Sequence, residues 1–246
     1  NLRIEAVDAA QIDPPKVMAD PGGLFSDIQF QGGIRLEALP FPDASFDAVI
    51  SQFGFEYANE AQAIAEVARV LASGGRLRFV VHARDGGVAR DIADRLDRLR
   101  AVLEDHGPVT LVRTLVRALD AGDTAAVTRE SVHLDAAIAS VRKLAQHAPR
   151  DDAAHFYASE FLRSWALRDR YRLSDLRRSI EDGWANADGV ATRQEEMLRV
   201  ARSHEDVITL ISKLAARGLA VAEAQELRDE HRGIRIAWLI NAHKPP

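Results

Sequence analysis

His82 closes the expected strand RLRFVVH, and an imidazole at a strand end is well suited to take a proton near neutral pH. The plainer expectation for a histidine there is a satisfied structural residue. Asp8 closes LRIEAVD, where an ionised carboxylate either accepts from two adjacent hydroxyl donors or caps its own turn. Ser51 and Gln52 close FDAVISQ with a hydroxyl and an amide, and Phe55, Glu56 and Tyr57 follow. Those three are candidates to face an acceptor molecule, although aromatic residues this near a strand end usually pack. The eight histidines show no HxxxH pattern and no histidine–carboxylate pair at convincing metal spacing. Cysteine is absent, so thiolate ligands and nucleophiles are excluded, and no metal is expected.

Strands must hold these side chains, and the sequence supplies them. LRIEAVD alternates apolar and polar as a short strand, and DIQFQGGIRLEAL holds a second short one. FDAVISQF is an apolar run of strand length, consistent with burial on both faces. NEAQAIAEVARVLASGG predicts a helix, with Asn59 as its cap, Ile64, Val67, Ala68 and Leu71 on one face, and Gly74-Gly75 as its stop. The strand Arg76 to Ala83 completes a βαβ unit, which implies parallel pairing with helices outside. From about Gly87 to Arg217 the pattern turns helical, with breaks expected near Gly107-Pro108, Gly122, Pro149 and Gly183. Leu219 to Arg228 and Gly233 to His243 then read as a β-hairpin at a sheet edge.

The expected fold is therefore α/β: a Rossmann-like, mostly parallel sheet with an antiparallel C-terminal hairpin strand and a large helical insertion. Its core is expected over 1–84 and 217–246, with the insertion over 85–216. The net charge of −5 and pI near 5.9 give no reason to expect a polyanion partner. RSWALRDRYRLSDLRR interleaves arginines with Trp165 and Tyr171 as a nucleic-acid surface would, but Asp169 and Asp175 interrupt it and favour a solvated helix face. No apolar run reaches the roughly 18 residues of a membrane helix. The lack of cysteine suits a reducing cytoplasm.

LPFPDASFDAVISQFGFEYANEAQAIAEVARVLASGGRL, from Leu39 to Leu77, resembles the class I S-adenosylmethionine-dependent methyltransferases. In that family a strand of the form FDxVxS follows an LPFxDxSFD approach, and a helix ending RVLxxGG leads to the next strand. Arg69-Val70-Leu71 and Gly74-Gly75 match that ending, whereas Ala72-Ser73 stand where Lys or Arg followed by Pro is usual. The resemblance covers roughly the first 84 and last 30 residues and leaves the helical insertion aside. The family's glycine-rich loop is not matched, and the chain opens at what resembles the family's second strand, so the first strand and its loop are expected upstream of Asn1.

The resemblance implies S-adenosylmethionine as cofactor and methyl transfer by in-line displacement to a small-molecule acceptor. It places Asp8 on the ribose hydroxyls, Ala9 against the adenine face and Leu36 with Glu37 at the adenine edge. Glu37 is displaced from the family's usual acidic position, and its plainer reading is a solvated side chain beside a core leucine. Ser51 and Gln52 would lie near the methionine end, with Phe55, Glu56 and Tyr57 toward the acceptor and His82 as candidate base. The helical insertion suits a lid over a small molecule or a homodimer surface. The rival reading is a binding or regulatory module that keeps the fold without catalysis. A nicotinamide-dependent dehydrogenase would need a GxGxxG before Asp8 and a catalytic Tyr-Lys or His pair, and the chain offers neither.

Overall fold

The computed structural model describes residues 3–20, 22–149, 151–231 and 233–246, so Leu2, placed by its pattern in the first strand, lies outside the described residues. The chain packs as two units, 1–89 with 200–246, and 90–199.

In the first unit β1 (Ile4–Asp8) leads through the short α1 (Pro14–Val17) to β2 (Ile28–Gly32), and the two strands pair in parallel from Ile4↔Ile28 to Asp8↔Gly32. A second group of four strands is ordered β3-β4-β6-β5. Here β3 (Phe46–Gln52) and β4 (Leu71–His82) are parallel, while β6 (Arg235–His243) runs antiparallel to both β4 and β5 (Ala220–Arg228). The α/β class and the antiparallel terminal hairpin stand as expected.

Between β3 and β4 lies α2 (Glu60–Val70), whose Asn59 side chain accepts from the Gln62 N–H and whose Ala63, Ile64 and Val67 are buried. It ends before the glycines that were expected to stop it, because Leu71 is already extended. The carbonyls of Arg69 and Val70 accept from Ala44 and Ser45 at 2.9 and 2.8 Å, so the approach to β3 uses the acceptors that end the helix.

Arg69 ties the two signature motifs into one device. Its guanidinium donates to the carbonyls of Phe41 (2.7 Å) and Leu39 (3.0 Å), to Asp43 (2.8 Å) and to Glu66. Glu66 in turn accepts from the Leu39 N–H at 2.7 Å. The hydrogen bonds that Arg69 donates to Glu66, then to Asp43, push its guanidinium further up, and Arg69 holds the Glu66 carboxyl below its usual range.

The second unit is helical: α3 (Gly87–Leu103), α4 (Pro108–Asp120), α5 (Thr124–Ser131), α6 (Leu134–His147), α7 (Ala153–Ala166) and α8 (Leu173–Val200). Leu99, Leu111, Leu115, Phe161 and Ile180 belong to its own core. Gly183 does not break α8; a Cβ there would lie 3.0 Å from Phe161 Cε2, so the glycine admits a ring rather than a turn. Trp165 is buried, with Arg168 over its ring at 4.7 Å, which uses that aromatic for packing rather than base stacking.

The last helix, α9 (His204–Ala216), was expected inside the insertion. It packs instead in the first unit, where Val207, Leu210 and Leu214 join Phe79, Trp238 and Ile240 in one core, and the helical unit accordingly spans 90–199. Its amphipathic stripe specifies a buried face but not what covers it. Among the described residues, no helix is long and apolar enough to cross a membrane.

Candidate active site

The parallel ladder of β3 and β4 runs to Gln52↔Val80, and the Phe53 N–H extends it by one bond to the Val80 carbonyl at 2.8 Å. Phe53 then reverses the chain with φ of 58°, a left-handed conformation that costs a bulky side chain free energy. The short 3₁₀ turn Phe55–Tyr57 follows, and Ser51 Oγ accepts from the Phe55 N–H at 2.9 Å. Ser51 is therefore engaged in fixing the turn, while Gln52 is exposed beside it.

That turn decides which side chains point where. Phe55 is fully buried and stacks on Phe79 with centroids 4.1 Å apart. The substrate contact expected of Phe55 is corrected on that ground: its ring faces the core. Tyr57 is exposed, and the Phe53 ring, which sequence reasoning passed over, stacks on the His82 imidazole at 4.3 Å.

Glu56 occupies the opposite situation from a solvated carboxylate. Its side chain is buried in the 3₁₀ turn after β3, and Oε1 lies 2.8 Å from His82 Nδ1 while also accepting the His82 N–H at 3.1 Å. A carboxylate on Nδ1 selects the tautomer that carries its proton there, which leaves Nε2 as the acceptor. The His82 side chain retains 15% exposure, so the ring is only partly shielded. The second oxygen of Glu56 is buried with no hydrogen-bond partner among the described residues, an arrangement a donor from a bound molecule would complete. Parallel strands place these groups at their carboxyl ends, where open α/β sheets collect ligands. Glu56 and His82 stand 26 positions apart, and only their strand-end registers bring them together.

The other predicted contacts lie at the ends of β1 and β2. Asp8 Oδ1 accepts from the Ala10 N–H at 2.8 Å, so one oxygen holds the turn, and among the described residues no bond to the other is seen. The Asp8 carbonyl accepts from Ile34 at 2.9 Å, which draws the segment after β2 beneath the same turn. Gly32 permits this closeness: a Cβ there would lie 2.6 Å from the Ile12 nitrogen. Ala9 is exposed. Leu36 packs against the core, and Glu37 Oε1 accepts from the Asn59 N–H at 2.8 Å and from Arg35 at 3.0 Å. The Asn59 N–H is the leading cause holding the Glu37 carboxyl below its ordinary range. Glu37 thus links the end of β2 to the start of α2, a structural task that its sequence position did not reveal.

Set beside known proteins, residues 19–79 match the family described as methyltransferase domain. A demethylmenaquinone methyltransferase of Deinococcus radiodurans is 55% identical over 51 residues, which are 20% of this chain and 21% of that protein. YcgJ of Bacillus subtilis, described as an uncharacterized methyltransferase, is 34% identical over 97 residues, 36% of this chain and 38% of that protein. The chain therefore spans well under half the length of these curated relatives. Among solved structures, the complex of the Haloferax volcanii Trm112 methyltransferase activator with a methyltransferase is similar at a TM-score of 0.44 and 14% identity, covering 99% of this chain and 73% of that one.

Proposed function

We propose that this chain, whose residues 19–79 are methyltransferase-domain sequence, is the catalytic core of an S-adenosylmethionine-dependent enzyme that methylates a small-molecule acceptor. The observation that carries the reading is the Glu56–His82 pair at the carboxyl ends of β3 and β4. S-adenosylmethionine supplies a methyl group already activated by a sulfonium charge. What remains for the protein is alignment of the two reactants, exclusion of water and removal of one proton.

In that transfer His82 Nε2 would take the proton released by the acceptor's hydroxyl or other nucleophilic group. Glu56 holds the imidazole in the accepting tautomer and stabilises the imidazolium that results. The second oxygen of Asp8 and the amide of Gln52 are the side-chain contacts for the cofactor, with the Phe53 and Tyr57 rings toward the acceptor. Demethylmenaquinone, the acceptor named for the Deinococcus radiodurans relative, is the first compound to assay.

His82→Gln is expected to lower the rate of methyl transfer by about 10²–10⁴-fold, the usual worth of a general base, with cofactor affinity held within a few-fold. Equal rates in the variant and the parent, measured by product formation, would remove His82 from the mechanism. The rival reading as a non-catalytic module predicts cofactor binding with no transfer to any acceptor.

A further inference from the structure

The helical unit brings together two histidines and a carboxylate far from the strand ends in sequence. Glu130 and His133 stand three residues apart across the end of α5, so they share one face of that turn, and His106 lies in the turn between α3 and α4. One ligand atom from each of the three lies within 4.8 Å of those from the other two. The His106 and His133 rings are 4.2 Å apart, and His106 Nδ1 is 3.9 Å from Glu130 Oε2.

We propose that His106, Glu130 and His133 form a divalent transition-metal site, with Zn²⁺ as the cation that fits best. Two imidazole nitrogens and one carboxylate oxygen suit zinc, and three protein ligands leave a fourth position for water. Tetrahedral zinc at bonds of about 2.0–2.2 Å sets its ligands roughly 3.4 Å apart, so the three side chains need to close by little more than an ångström.

The surroundings are built for holding rather than for chance proximity. His106 adopts φ of 63°, a backbone conformation uncommon outside glycine but one in which histidine is enriched. The next residue packs closely on the end of α3: a Cβ on Gly107 would lie 2.7 Å from the carbonyls of Ala101 and Val102. Thr110 Oγ1 pins the same turn by donating to the Leu103 carbonyl at 2.6 Å. On the other side, the His133 N–H donates to the Glu130 carbonyl at 3.1 Å. Arg129 Nε holds Glu130 Oε1 at 2.9 Å, which orients the carboxylate and leaves Oε2 toward the histidines. The cation would staple the α3–α4 turn to the α5–α6 turn, a role independent of methyl transfer. The sequence-based expectation of no metal rested on the absence of cysteine and on histidine spacing, and His106 joins the pair only through the fold.

The test is titration of ZnCl₂ into the full chain by calorimetry, with Co²⁺ in parallel as a spectroscopic probe. The parent is expected to bind one equivalent and to give the strong visible absorption of four-coordinate Co²⁺. His106→Asn keeps a residue tolerant of positive φ but supplies a poor ligand, and His133→Gln removes the second imidazole. Each is expected to weaken zinc binding at least tenfold and to abolish the Co²⁺ band, with the far-ultraviolet circular dichroism unchanged. Failure of the parent to bind zinc, or equal binding by a folded His106→Asn variant, would overturn the proposal.

Discussion

At the scale of single residues, Arg69 explains why the LPFPDASFD and RVL motifs occur together: the second grips the first by its backbone carbonyls. Lysine keeps the charge but loses the planar fork that reaches two carbonyls and two carboxylates at once. Arg69→Lys is therefore expected to destabilise the sheet unit and lower its denaturation midpoint. Denaturant unfolding followed by tryptophan fluorescence would read it, and an unchanged midpoint would show the grip to be incidental. Phe55 and Tyr57 provide a paired check on the turn between β3 and α2. Phe55→Ala is expected to cost about 3–5 kcal/mol of stability, as for a buried ring, whereas Tyr57→Ala, at an exposed ring, is expected to cost less and, on the proposed reading, to weaken acceptor binding. Which aromatic faced inward was not legible in FGFEY, because the positive φ at Phe53 and the 3₁₀ turn after it set the directions. Glu56 and His82 were each legible as strand-end groups, but their pairing was not, since register is a property of the assembled sheet.

At the scale of elements, the strands were readable from their apolar and β-branched residues at strand length. The burial on both faces expected of FDAVISQ is not found: β3 is only half-buried, with Ile50 70% exposed, and RLRFVVH alternates buried side chains with more exposed ones. The ends and partners of helices were less so. Helix α2 gives up its last carbonyls to the Ala44–Ser45 turn, and α9 carries an apolar stripe that fits either unit. Within the helical unit, α4 and α8 are clamped by Glu181, which accepts from Arg117 Nη2 at 2.8 Å and from Arg113 Nε and Nη2 at 3.0 and 2.9 Å. The bond from Arg117, then that from Arg113, lowers the Glu181 carboxyl from 4.5 to about 2. Because the folded value is the depressed one, the clamp's contribution is fully present above pH 4.5 and is lost as pH falls toward about 2. Glu181→Gln is thus expected to destabilise the helical unit at pH 6 and to differ little from the parent below the depressed value. A difference that persisted unchanged at pH near 2 would contradict the clamp.

At the scale of the whole molecule, each unit has its own core, one around Phe79 and Ile240 and the other around Leu115 and Phe161. Leu115→Ala is expected to speed amide hydrogen exchange within 90–199, and Phe79→Ala to speed it within 1–89 and 200–246, as separate cores require. Calorimetric titration of S-adenosylhomocysteine into the chain preceded by the strand and glycine-rich loop that the family resemblance leads one to expect, and into its Asp8→Ala and His82→Gln variants, probes the strand ends of the first unit. Saturable binding at one site is expected, weakened at least tenfold by Asp8→Ala and hardly altered by His82→Gln. Absence of binding, or binding that ignores Asp8, would rule out a cofactor site at these strand ends.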